Sequence, residues 1–115
     1  MQDLLVIPVT NDDKDLLRIL ADQYCVAILQ ATDKVFKSAS QLSSECGIFT
    51  SIVYRRLKSL QKSGLLDTYY EIRPDGKKFF LYKSLVKHIT VSFSDNKLEV
   101  NLALKTNEIS LHENN

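Results

Sequence analysis

The chain has 115 residues, 44% hydrophobic and 25% charged, a balance typical of globular domains rather than disordered or fibrous sequence. Its longest apolar stretches, Leu4 to Ile7 and Cys25 to Leu29, fall far short of the roughly 20 residues a membrane helix needs. No basic residue precedes the first stretch as in a secretory signal, so a cytoplasmic protein is expected. Two cysteines outside any C-x-x-C pair give no disulfide scaffold, and a net charge of +1 argues, at first sight, against a polyanionic partner.

In chain order, Leu4 to Val9 is an apolar arm or strand, stopped by Pro8 and the polar run Thr10-Asn11-Asp12-Asp13. Leu16, Leu20, Tyr24, Ala27 or Ile28, and Ala31 recur at helical spacing, which predicts helix from about Lys14 to Ala31, with Asp22-Gln23 able to split it. Ser38 and Gln41 fit an S-x-x-Q capping box, with Ser40 a competing cap, and Gly47 closes a helix of barely two turns. A longer helix runs from Thr50 to a stop at Gly64, with Val53, Leu57 and Leu60 as its apolar line.

Beyond Leu65 the period becomes strand-like. Thr68 to Ile72 and Phe79 to Tyr82 flank Arg73-Pro74-Asp75-Gly76-Lys77, a hairpin with a basic tip in which Gly76 suits a positive-φ turn position. A second alternation, Ile89-Val91-Phe93 and Leu98-Val100-Leu102-Leu104, brackets a two-residue turn at Asp95-Asn96. Residues 105–115 are polar and read as a frayed, flexible tail.

The charge is unevenly placed along these elements. Residues 1–49 carry four basic and seven acidic groups, a net of −3, and residues 89–115 carry two and four, a net of −2. Residues 50–88 carry nine basic groups against Asp67, Glu71 and Asp75, a net of +6. On the longer helix Ser51, Arg55, Lys58 and Lys62 fall at i, i+4, i+7 and i+11, a polar and basic stripe without an acid, opposite Val53, Leu57 and Leu60. Such a local excess is the footprint of a polyanion-binding surface, because steering and counterion release depend on local charge. A solvated charged face is the plainer alternative.

Helix, short helix, turn, longer helix and basic hairpin is the order of a winged helix-turn-helix. The segment Ser38-Ala39-Ser40-Gln41-Leu42 through Gly47-Ile48, continuing as Ser51 to Leu60 and closing on Ser63-Gly64-Leu65-Leu66, resembles the ArsR-like family of prokaryotic transcription regulators, particularly archaeal members. Ile19-Leu20-Ala21-Asp22 and Ala27-Ile28-Leu29 are similar to that family's first block, so the likeness covers residues 16–84. It implies an α+β fold of three or four helices and a basic wing over residues 12–84, to which residues 85–104 add a C-terminal β-hairpin. Metal-sensing members carry a close cysteine pair in the short helix. This chain has only Cys46 there, while Cys25 stands where arginine is frequent and Phe49 where a small polar residue opens the recognition helix.

The resemblance implies double-stranded DNA as partner, read by the helix at about residues 50–63 in the major groove. Thr50, Ser51, Tyr54 and Arg55 are then the base readers, since Arg can bind guanine O6 and N7 together and hydroxyls suit either base or phosphate. Lys58 and Lys62 suit phosphates. Arg73, Lys77 and Lys78 of the wing, about residues 73–78, suit an adjacent backbone or the minor groove. Arg56 lies nearer the core side of the helical wheel, with no role assigned. A two-fold operator implies a homodimer, joined through the second hairpin or the N-terminal arm.

Other classes find less support. His88 and His112 are isolated, and neither a phosphate loop nor a metal-spaced cluster occurs, so no enzyme, cofactor or metal is expected and Cys25 and Cys46 read as buried small residues. The aromatics Tyr69, Tyr70, Phe79, Phe80 and Tyr82 look more like hairpin core than an RNA-stacking platform. The main rival is a winged-helix protein-interaction module in a transcription-related assembly, favoured if Arg55, Lys58 and Lys62 are paired with Asp67, Glu71 or another subunit.

Overall fold

A computed structural model describes residues 11–105, so the segment Leu4 to Val9 and residues 106–115 lie outside the described residues. Among the described residues four helices, α1 (Asn11–Leu20), α2 (Gln23–Ala31), α3 (Ala39–Cys46) and α4 (Thr50–Lys62), precede four strands. β1 (Leu66–Ile72) pairs with β2 (Lys78–Ser84), and β3 (Val86–Ser94) with β4 (Lys97–Leu104), as two antiparallel hairpins. The architecture is α+β and compatible with a winged helix. Among the described residues no helix is long and apolar enough to cross a membrane.

The helix expected from Lys14 to Ala31 is split and begins three residues earlier, at Asn11. Asp22 adopts extended backbone (φ −99°, ψ 115°), and its carboxylate accepts a bond from the Tyr24 amide at 3.1 Å, which caps α2. At α3 the capping box closes in both directions. Ser38 Oγ accepts from the Gln41 amide at 3.1 Å, and the Ser38 amide donates to Gln41 Oε1 at 2.9 Å, so Ser38 rather than Ser40 is the cap. Gly47 ends the helix at φ +66°, a left-handed conformation costly to any residue with a Cβ.

These short helices close around α4. Val53 and Leu60 have no exposed surface, Leu57 almost none, and Ile28, Leu42 and Leu65 are likewise fully enclosed in the same cluster. The first hairpin is rooted in this core by Leu66 and Tyr82, and a single bridge between Lys37 and Tyr82, with amide-to-carbonyl bonds of 2.9 Å each way, adds a third rung beside β2. At its far end the Gly76 amide donates to the Arg73 carbonyl at 2.8 Å, and Arg73 N–H to the Lys77 carbonyl at 2.8 Å. Pro74 fits the second position of this turn, and Gly76, at φ +85°, supplies the left-handed residue that rejoins the strands.

The second hairpin turns through Asp95 (φ 52°) and Asn96 (φ 63°), two positive angles that match strand twist. Its register sets Ile89 opposite Leu102, Val91 opposite Val100 and Phe93 opposite Leu98, which gathers the apolar side chains on one face. Val100 reaches the core, whereas Val91, Phe93 and Leu102 stay exposed. Lys105, expected at the head of a frayed tail, is instead fastened: its Nζ donates to the Asp33 carbonyl at 2.6 Å and to Asp33 Oδ1 at 2.7 Å. Leu57→Ala, which empties the centre of the core, is expected to lower stability by about 2–5 kcal/mol in urea denaturation.

Candidate nucleic-acid interface

Because Val53, Leu57 and Leu60 face inward, the helical period turns the opposite side of α4 to solvent. Thr50, Ser51, Tyr54, Arg55, Lys58 and Lys62 are all exposed. Ser51 to Lys62 spans about 16 Å along the axis at 1.5 Å per residue. Among the described residues neither Arg55, Lys58 nor Lys62 has an ion-pair partner; Asp67 and Glu71 do not neutralise the stripe. The positive charge of the helix face is uncompensated, the circumstance in which a polyanion gains most from binding.

The start of α4 is held by side chains of the preceding turn. Thr50 Oγ1 donates to Ser43 Oγ at 3.2 Å, and Ser43 Oγ to the Ile48 carbonyl at 2.5 Å. The Thr50 hydroxyl therefore already has a structural task. Phe49 occupies the cap position without a side-chain bond, forgoing a stabilisation that Ser or Asn supplies there, typically about 1 kcal/mol. Its ring is 80% exposed. Tyr54 is 56% exposed and lies near Tyr82, whose phenol is pushed up first by burial and then by Tyr54.

Arg73, Lys77 and Lys78 are exposed at the outer end of the first hairpin, which stands roughly 20 Å beyond its root at 3.3 Å per strand residue. Gln61 Nε2 donates to Thr68 Oγ1 at 3.2 Å, tying the last turn of α4 to that root. Helix and hairpin tip are thus two separate basic surfaces joined through a fixed base. The tip is ordered by the Lys77 amide, which donates to Asp75 Oδ1 at 2.9 Å. Arg73 lies 5.7 Å from the Phe79 ring and Lys78 Nζ 4.6 Å from that of Tyr70. Tyr70 and Phe80, paired across the strands at 5.6 Å, are exposed rather than core; Tyr82 is buried, and Tyr69 packs edge-on against Phe36 at 4.7 Å.

Arg56 belongs to a different arrangement. Its Nε donates to Asp22 Oδ2, and its guanidinium lies 5.4 Å from the Tyr24 ring, so this charge locks α4 to the start of α2. A pairing across 34 residues leaves no mark in the sequence pattern. Burial works against a charge on Asp22, but bonds from the Tyr24 amide, the Cys25 thiol and Arg56 together outweigh it and hold the carboxyl below its ordinary range. Asp22, Cys25 and Arg56 line a cleft of about 480 Å³ between α1, α2 and α4, together with Arg18 and Lys62. Cys25 lies at its wall with a thiol pushed up to about 12 by burial and by Asp22, which makes it unreactive at neutral pH. Among the described residues no group of three or more metal-ligating side chains occurs.

The sign of the Asp22 effect follows from its lowered value. Stability from the ionised group is complete above the unfolded carboxyl range and is lost as pH falls through the folded value, because the unfolded chain takes the proton first. Asp22→Asn keeps a capping oxygen but removes the charge. It is expected to lower the urea midpoint at pH 7 and to flatten the loss of stability as pH falls below the ordinary carboxylate range, relative to the parent protein.

No protein-family model matches the chain, and no curated protein shows significant similarity to it.

Proposed function

We propose that the protein is a winged helix-turn-helix regulator of transcription that binds double-stranded DNA sequence-specifically, as its resemblance to the ArsR-like family implies. In this reading α4 is the recognition helix and the first hairpin the wing. The observation that carries it is the exposed stripe Ser51, Arg55, Lys58 and Lys62, free of acidic partners among the described residues, on the face of α4 opposite its buried side. The rival interaction module requires that stripe to be paired with Asp67, Glu71 or another subunit; among the described residues Arg55, Lys58 and Lys62 have no ion-pair partner within the chain. Exposed Ile72, Tyr70 and Phe80 on the hairpin are the feature that keeps a protein partner in view.

Ser51, Tyr54 and Arg55, near the start of α4, are assigned to base edges together with Thr50, whose hydroxyl accepts a second bond while donating to Ser43. Lys58 and Lys62 are assigned to phosphates. The wing residues Arg73, Lys77 and Lys78, carried roughly 20 Å from the hairpin root, meet a neighbouring stretch of backbone or minor groove. Titration of labelled duplexes is the test. Arg55→Ala is expected to weaken the preferred duplex by about 10- to 100-fold and relax its sequence preference. The pair Lys77→Ala and Lys78→Ala is expected to weaken all duplexes nearly equally and to reduce the slope of log affinity against log salt by about two. Unchanged affinity in all of them rejects the assignment.

A two-fold operator requires two copies. The face of the second hairpin that carries Val91, Phe93 and Leu102, exposed yet continuous with buried Val100, is the proposed contact between them. Phe93→Glu, at a position 69% exposed, is expected to leave the fold intact and to shift the protein from dimer to monomer in sedimentation at micromolar concentration. A parent protein that is already monomeric there removes the dimer from the proposal.

A further inference from the structure

Phe49 is the most exposed of the large hydrophobic side chains among the described residues, at 80%, and it stands at the start of α4 where no structural need for it exists. A serine there would cap the helix and hide no apolar surface from the core, so the phenylalanine departs from the locally stable choice. Among the described residues its ring has no aromatic or cationic partner. Of its chain neighbours, Gly47, Thr50 and Ser51 are exposed, Ile52 is half-buried, and Ile48 and Val53 are buried. A single ring set among hydroxyls is a poor protein-docking patch, which needs contiguous apolar area. It is well suited to a base edge, where one apolar group lies beside hydrogen-bonding atoms.

The backbone that carries the ring is held in place. Gly47 fixes the left-handed turn before it, the Ile48 amide donates to the Ser43 carbonyl at 3.1 Å, and Ser43 bonds both the Ile48 carbonyl and Thr50. The backbone on either side of Phe49 is therefore tied to α3. In the major groove the one apolar feature distinguishing a base pair is the C5 methyl of thymine. We infer that Phe49 is a specificity-determining residue that selects thymine, through contact with its methyl group, at the position next to the bases met by Thr50 and Ser51. The inference rests on the proposed DNA-binding reading.

Selection of duplexes from a random pool, run with the parent protein, Phe49→Ala and Phe49→Ser, tests it, followed by replacement of the selected thymine with deoxyuridine. The parent protein is expected to select thymine at one fixed position of each half-site. Deoxyuridine there should weaken it about fourfold, the equivalent of one buried methyl group. Both variants should lose that preference, respond equally to thymine and uracil, and retain the preferences elsewhere in the site. Phe49→Ser should in addition have a higher urea midpoint than the parent, which rules out misfolding as the cause. If the parent selects a consensus that both variants share, with uracil tolerated, the role of Phe49 is overturned while DNA reading stands. If the parent selects nothing, both fall. Loss of self-association in Phe49→Ala with an unaltered consensus assigns the ring to a protein contact instead, and also overturns the inference.

Discussion

Complete burial of one side of α4 is the constraint on which the arrangement of the charged surface depends. Val53, Leu57 and Leu60 fill the centre of the core, and a helix so anchored has no rotational freedom. With 3.6 residues per turn, each position's direction is then fixed. Ser51, Arg55, Lys58 and Lys62 stand outside because those three side chains stand inside. A rotation by a single residue, about 100°, would break up the stripe and drive charge into the core, at a desolvation cost far above the worth of any surface contact. The fold thus creates the basic face without any interaction made by the basic residues themselves.

Four acidic groups outside that face hold cations within or between elements. Asp22 caps α2 and holds Arg56, Glu45 holds Lys37 at 2.5 Å, Asp15 holds Arg18 at 3.0 Å, and Asp33 holds Lys105. Each is a link between neighbouring turns or between elements, and each removes one cation from the pool available to a partner. The near-neutral total is therefore compatible with a strongly positive local surface: many of the negative charges are committed elsewhere. The same partition explains why Arg55 and Arg56, adjacent in sequence, have unrelated tasks. One is on the solvent side of α4, and the other is near enough to the α2 cap to be captured by it.

Three places depart from what local stability favours. Phe49 leaves a helix start uncapped and an aromatic ring in water, and the two hairpins, toward their outer ends, leave Ile72, Phe80, Val91 and Phe93 exposed. Exposed apolar groups at element ends cost little individually, since single surface hydrophobics are common. They gain meaning from position: Phe49 at the mouth of the basic helix, and Val91 with Phe93 on a face that continues directly into the core through Val100.

The elements were largely legible in the sequence, because caps, turns and periodicity act over one or two turns of chain. The Ser38 to Gln41 box, the helix stop at Gly47, the buried line of α4, the tip at Pro74 to Gly76 and the Asp95-Asn96 turn all reside in contiguous residues, and they fix the helices, the hairpins and the composition of the basic stripe. Tertiary structure decided the rest. Whether the Asp22-Gln23 point would split the first helix, how Arg56 would be used, that Lys37 would join β2, that Lys105 would be fastened across 72 residues to Asp33, and how far Phe49 and the hairpin faces would remain in solvent all depend on which distant surfaces meet. A local pattern states which side of an element is apolar. Only packing determines how much of that side is covered, and by what.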